Sequence, residues 1–276
     1  MKFEDVLGTQ VLVLDGAMGT MVQNLALDDS AFGGPAFKML TDLLIFSRPD
    51  DLEGIHLKYL QAGANLIETN TFGASPLRLA EFDFKDIDLT DIKAIPPELN
   101  LKESDYSAIT WHLNVEGCRI ARRAIDKYKA SPDYDGRPLF IAGSIGPSNY
   151  VLSKTEADLK KATWSQIVDN NKQQVLGLIE GGADVLLFET QQDILELKAS
   201  LIGAQKAFGE TGSRLPIIAQ VTVDNFSKMQ IFNTDIHAAY VAVQGMGISA
   251  FGINCNTGPE LMQKTVEKLS RVCRHP

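Results

Sequence analysis

The chain has 276 residues, 45% hydrophobic and 22% charged, and 26 Lys and Arg against 35 Asp and Glu give a formal net charge of −9. That length suits one large α/β domain of ~250 residues, and the acidic balance removes the basic face that nucleic-acid binding needs. No run approaches the ~20 apolar residues of a membrane span, and Met1-Lys2-Phe3-Glu4-Asp5 has no basic segment leading into an apolar one, so a cytoplasmic protein without nucleic-acid or membrane partners is expected.

Val11-Leu12-Val13-Leu14 is a short apolar run that predicts a strand buried on both faces. It leads into Asp15-Gly16-Ala17-Met18-Gly19-Thr20, a turn whose glycines let backbone N–H groups approach a ligand. A loop is expected around Gly33-Gly34-Pro35, and Asp50 or Asp51 is a candidate cap for a helix running to about Gln61. Ala62-Gly63-Ala64-Asn65-Leu66-Ile67-Glu68-Thr69-Asn70 then has the same grammar as Gly181-Gly182-Ala183-Asp184-Val185-Leu186-Leu187-Phe188-Glu189-Thr190. In each, a helix end and a turn lead into a buried strand and then Glu-Thr, and residues 245–254 repeat the pattern.

Six strands are predicted, near 11–14, 64–68, 138–142, 184–188, 216–223 and 250–254. Helical patterns separate them at roughly 108–129, 157–180, 193–208, 234–245 and 259–273. Residues 83–107 form an acidic, proline-containing insertion, expected either as a rim or lid element or as a solvated excursion. The alternation fits an open doubly wound sheet, or an eight-stranded barrel without its last two units.

In both architectures the carboxyl ends of the strands form the functional face. Asp15, Glu68 with Asn70, Gly143 with Pro147, Glu189, Thr222 with Asp224, and Asn254 with Cys255 all fall just past strands. Asp15, Glu68 and Glu189 together suit a cation such as an amino-acid ammonium. Three cysteines are too few for a disulfide framework. Cys255 is the one at a strand end, whereas Cys118 reads as packing, and His56, His112 and His237 fall in helical stretches. There is no dinucleotide-binding glycine motif and no phosphate-binding loop, and Gly143-Ser144-Ile145-Gly146 lacks the spacing of a nucleophile elbow.

Five stretches in order carry a family resemblance: Leu14 to Thr20, Glu68 to Gly73, Gly143 to Pro147, Phe188-Glu189-Thr190 with Asp193 to Ala199, and Gly252-Ile253-Asn254-Cys255. Together they resemble the homocysteine-binding (homocysteine S-methyltransferase) domain of cobalamin-dependent methionine synthases. The resemblance implies a (β/α)8 TIM-barrel domain over 1–276, here lacking the last two β/α units, that makes homocysteine a thiolate methyl acceptor. It implies zinc held by three cysteines, of which Cys255 matches the first, with a free position for the substrate sulfur. It also implies that Asp15 and Glu189 hold the amino group and that the Gly16-Ala17-Met18 turn meets the carboxylate, while the strand-end positions of Glu68, Asn70 and Asn254 add them to the expected substrate site. Methylcobalamin and methyltetrahydrofolate would act through other modules of a longer protein.

The family's adjacent Cys-Cys pair has no counterpart here, so the zinc site is expected to be incomplete and the isolated chain inactive. Gln230-Ile231-Phe232-Asn233-Thr234 replaces a turn of small residues. The alternatives are a homocysteine methyltransferase with another donor and a barrel-derived binding module without catalysis.

Overall fold

The computed structural model describes residues 2–155 and 157–276. Its strands are β1 (Leu66–Glu68), β2 (Phe140–Ile145), β3 (Tyr150–Val151), β4 (Lys160–Lys161), β5 (Val185–Gln191), β6 (Ile217–Val221) and β7 (Ala250–Ile253). Five of them form one parallel sheet in the order β1-β2-β5-β6-β7, and β3 and β4 form a separate ribbon. Sheet order thus follows chain order, with no point at which it reverses. A doubly wound sheet needs such a reversal to place helices on both faces, so the crossovers here all load the same face. Successive helices, Pro49–Ala62, Tyr106–Lys129, Trp164–Gly181, Ile194–Thr211, Ile236–Val243 and Pro259–Ser270, pack side by side around the arc.

Side-chain alternation divides each strand between two layers. Ile67, Ile141, Leu186, Phe188 and Ala219 point to the helices and join the largest hydrophobic core. Leu66, Phe140, Ala142, Val185 and Leu187 point to the concave face, where the short helix Phe3–Val6 closes one end of a second cluster. Continuing that alternation, Glu68, Ser144 and Glu189 reach the carboxyl end of the concave face. No helix among the described residues is long and apolar enough to cross a membrane.

Several expectations need correction. Residues 11–14 are an extended edge segment joined to β1 by a single bridge, Leu14 to Leu66, and by the Val13 carbonyl, which accepts from Asn65 N (2.7 Å) and Leu66 N (3.1 Å). Among the described residues only one side of this segment has a strand partner and its outer face is left open. Val11 is therefore 90% exposed and Val13 50%, contrary to a strand buried on both faces. The third long helix begins at Trp164 rather than 157, because Thr163 and Gln166 form a reciprocal capping box and residues 160–161 pair with 150–151. The helix from Pro49 has proline in its first turn, and Asp50 and Asp51 lie inside that turn rather than capping it.

The insertion over 83–107 is not a solvated excursion. Phe84, Ile87, Ile92, Leu99 and Leu101 are buried in a core shared with Phe32, Phe37, Leu40 and Phe46. Asp88 N–H donates to the Gly33 carbonyl (2.9 Å), Ala94 N–H donates to the Phe46 carbonyl (2.8 Å), and Arg48 pairs with Asp91 at 2.9 Å. The acidic residues decorate a packed layer that steadies the 28–47 loop.

Helix packing leaves several places with no room for a methyl group, and Gly203 is the one held most tightly against backbone. A Cβ on Gly203 would lie 2.6 Å from the Val168 carbonyl oxygen and 3.0 Å from Lys172 N, across the contact between helices Trp164–Gly181 and Ile194–Thr211. Alanine is the better helix former by ~1 kcal/mol, yet overpacking against backbone costs roughly 1–3 kcal/mol. Gly203→Ala is therefore expected to lower the urea-unfolding midpoint, and an unchanged or raised midpoint would show that the two helices can separate freely.

Candidate active site

The carboxyl ends of the strands surround a cleft of about 520 Å³. Its lining includes Asp15, Gly16, Ala17, Met18, Glu68, Asn70, Glu189, Asn254 and Cys255, the residues named from the sequence as candidate substrate or metal contacts. Gly143, Pro147, Thr222 and Asp224 are not among the lining residues. Gly143 faces outward, where a Cβ would lie 2.9 Å from the Leu178 side chain, and Asp224 accepts the N–H groups of Phe226 and Lys228 in its own loop.

The first wall is the turn after the edge segment. Asp15 N–H donates to the Leu66 carbonyl (3.0 Å), and Asp15 Oδ2 accepts the N–H of Glu68 (3.0 Å), so backbone pairing fixes this carboxylate. Its other oxygen, Oδ1, is buried without a partner among the described residues. Tyr59 Oη donates to the Ala17 carbonyl (3.3 Å), and a Cβ on Gly16 would come within 3.1 Å of that hydroxyl oxygen. Glycine here lets the turn sit against Tyr59 with its backbone open to the cleft.

The second wall carries Glu68, Asn70 and Glu189. Asn70 Nδ2 donates to the Thr41 carbonyl (2.8 Å) and holds the neighbouring loop. Ser144 Oγ donates to Glu189 Oε1 (2.5 Å), and Asn254 Nδ2 donates to Glu189 Oε2 (3.3 Å). The Glu68 carboxylate has no protein donor among the described residues.

This arrangement is electrostatically unbalanced. Among the described residues three carboxylates line the cleft, and no lysine, arginine or histidine does. Burial, reinforced by the charge of Glu189, pushes Asp15 up to about 7, against the Glu68 N–H that favours its charged form. Burial raises Glu68 well above the carboxylate range, with further repulsion from Glu189 and Asp15. Glu189 is also raised by burial, although the Ser144 hydroxyl opposes the shift. Like charges in one desolvated site resist ionisation until a cation arrives.

Cys255 follows β7 at the rim and is exposed, with φ of +64°. Cys118 is buried in the helix layer, where burial pushes its thiol up to about 12. Cys273 lies where the chain returns to the start of β7: Phe251 N–H donates to the Pro276 carbonyl (3.1 Å), and Cys273 Sγ donates to the His275 carbonyl (3.4 Å). Among the described residues no three His, Cys, Asp or Glu side chains are gathered to hold a metal ion. One thiol does not make a zinc centre of the sulfur type, so these residues do not fit that group. His56, His112 and His237 all occupy helices, as expected, and burial pushes His56 down to about 4.

Ser144, Thr190, Tyr59 and Phe72 escaped the sequence reading. Extending β2 by one alternation beyond Ala142 would have found Ser144 on the face of Glu189. Phe72 packs over Gly146, whose N–H donates to the Phe72 carbonyl (2.9 Å), and its ring forms part of the cleft lining.

Residues 12–276 match the family model described as homocysteine S-methyltransferase. Methionine synthase of Mycobacterium tuberculosis is 37% identical over 276 residues, covering 99% of this chain and 20% of that protein. Methionine synthase of Mycobacterium leprae is 34% identical over 274 residues, with the same coverage of 99% and 20%. The chain thus spans about 20% of the length of these relatives. Among solved structures, the metallated form of the homocysteine methyltransferase MmuM from Escherichia coli superposes with a TM-score of 0.72 at 21% identity, covering 97% of this chain and 82% of that one. Its apo form gives 0.65 at 21% identity, covering 96% and 80%. That likeness shows the shared α/β fold, and on the sequence match the chain belongs to the homocysteine S-methyltransferase family.

Proposed function

We propose that the cleft binds homocysteine for S-methylation to methionine, as part of a methionine synthase of the cobalamin-dependent kind. The observation that carries this is three desolvated carboxylates with no basic side chain among the described residues lining the cleft, which also presents Cys255. An α-ammonium supplies the missing positive charge to Asp15, Glu189 and Glu68, and the open backbone of Gly16-Ala17-Met18 is suited to a carboxylate. With the amino-acid end so held, the side-chain sulfur extends toward the rim. In the reaction the sulfur lone pair forms the new S–CH3 bond, the bond from methyl to its carrier breaks, and the thiol proton leaves. Zinc, where bound, keeps such a sulfur deprotonated at neutral pH, but Cys255 alone does not hold it.

Two features support the reading of 1–276 as a barrel domain that is completed by further residues. Among the described residues β7 and the 11–14 segment each have a strand partner on one side only, the other edge of β7 meeting just the Pro276 carbonyl through the Phe251 N–H, and a closed barrel of this kind has eight strands. The remaining sulfur ligands, the methylcobalamin donor and methyltetrahydrofolate belong, in this proposal, to those other parts. A second reading, a binding module without methyl transfer, is favoured by the single thiol of the cleft. Both readings share the amino-acid site.

Methionine, which carries no thiol, reports on that site without a metal. Glu189→Gln or Asp15→Asn is expected to weaken methionine binding by tenfold or more, on the order of the 1.5–3 kcal/mol of a charged hydrogen bond. Calorimetric titration checks this, and unchanged affinity in both variants would remove the ammonium from the site.

The raised carboxyls also set the direction of the pH response. Asp15 ionises near 3.8 when unperturbed and near 7 in the fold, so the folded state holds the proton more tightly. Its contribution to stability is full below the lower value and is lost as pH rises through the upper one. The ligand-free protein is expected to melt at lower temperature at about pH 8 than at about pH 6, with Asp15→Asn flattening the slope. Methionine affinity should rise over the same interval as the carboxylates ionise. A thermal-shift series with and without methionine tests both directions.

A further inference from the structure

Thr190, directly after Glu189, has φ of +57°, a left-handed conformation that strains a β-branched residue. The β5–β6 ladder slips register between Phe188 and Gln191, around this same residue. A strained backbone beside a buried carboxylate persists only where something holds it.

That holder is Asn254. Its Oδ1 accepts the Thr190 N–H (2.8 Å), and its Nδ2 donates to Thr190 Oγ1 (2.9 Å) and to Glu189 Oε2 (3.3 Å). Asn254 is itself fixed through its backbone, with its N–H donating to the Val221 carbonyl (3.3 Å) and its carbonyl accepting from Thr222 Oγ1 (3.3 Å). A primary amide has two N–H donors, and both are used. The next residue, Cys255, is also left-handed, at +64°. One side chain therefore joins two strained backbone positions, one bearing the thiol and the other adjoining a cleft carboxylate.

We propose that Asn254 is a positioning residue rather than a substrate contact. It pins Thr190 in its strained conformation, fixes Oε2 of Glu189 opposite the Ser144 hydroxyl, and ties that carboxylate to the Cys255 loop. This rests on the reading of the cleft as an amino-acid site. Asp15 is fixed through one oxygen and Glu68 through none among the described residues, so Glu189 is the most rigidly aimed of the three.

The test is a double-mutant cycle read by methionine titration on the full 276-residue chain. Asn254→Ala is expected to weaken binding about tenfold. In a Thr190→Gly background the left-handed backbone needs no clamp, so the same substitution should cost about threefold or less, the share that acts through Glu189. Asn254→Asp keeps the volume and the acceptor for Thr190 N–H but turns a carboxylate oxygen toward Glu189. It should lose at least as much affinity as Asn254→Ala, and it serves if the alanine variant does not fold. Wild-type affinity in the folded Asn254 variants, or equal losses in the two backgrounds, would overturn the proposal. Glu189→Gln separates the two levels. If it too binds like wild type, the amino-acid site itself is wrong; if it loses affinity while the Asn254 variants do not, only the role of Asn254 is wrong.

Discussion

Desolvated negative charge without a matching cation is the constraint around which this cleft is built. A buried carboxylate is costly unless it is paired or protonated, and Asp15, Glu68 and Glu189 share one cleft with no basic side chain among its described lining residues. The fold tolerates them because neighbouring groups share the load: the Glu68 N–H serves Asp15, while the Ser144 hydroxyl and the Asn254 amide serve Glu189. The unpartnered Asp15 Oδ1 and the bare Glu68 carboxylate are left over. That remainder is what the proposed ammonium would satisfy. It also links the stability of the empty protein to its ligand.

The architecture follows from parallel strands laid down in chain order. Each crossover loads the same face with helices, so the opposite face is concave, and the alternation of side chains sends every second residue into it. Leu66, Phe140, Val185 and Leu187 fill the lower part, and Glu68, Ser144 and Glu189 reach its rim. Chemistry and core are thus consecutive positions on the same strands. The layer formed by residues 28–47 and 83–105 carries its own hydrophobic cluster and supplies the Thr41 carbonyl that anchors Asn70.

Much of this was legible in the sequence. Repeated helix-turn-strand units ending in Glu-Thr or Asn-Cys announce β/α modules, and strand ends are where polar residues can face a common site. Asp15, Glu68, Glu189, Asn254 and Cys255 were found by that rule. Ser144 was not, since the predicted strand stopped at Ala142 and a buried serine has no local signature. The apolar run at 11–14 shows hydrophobicity but not partners, so it could not reveal that Val11 and Val13 face outward. The insertion looked solvated because its acidic residues are numerous. Its buried residues Phe84, Ile87, Ile92, Leu99 and Leu101 lie on one 3-10 turn (Phe84–Asp86) and otherwise irregular backbone, with neither the 3.6 nor the 2.0 period that marks a core-facing element. The capping box Thr163-Trp164-Ser165-Gln166 was available as a start signal, and it outranks the weaker helical pattern before it. The clamp made by Asn254 depends on a left-handed threonine that no sequence pattern discloses.

The account stands on the claim that the carboxylate cleft recognises an amino group. The most direct measurement compares methionine with 4-(methylthio)butanoic acid, which keeps the carboxylate and thioether but lacks the ammonium, by titration calorimetry near neutral pH. The account predicts saturable binding of methionine and a loss of about a hundredfold or more for the deaminated compound, the combined effect of losing two charged hydrogen bonds and leaving the carboxylates unpaired. Equal binding of the two compounds would contradict it.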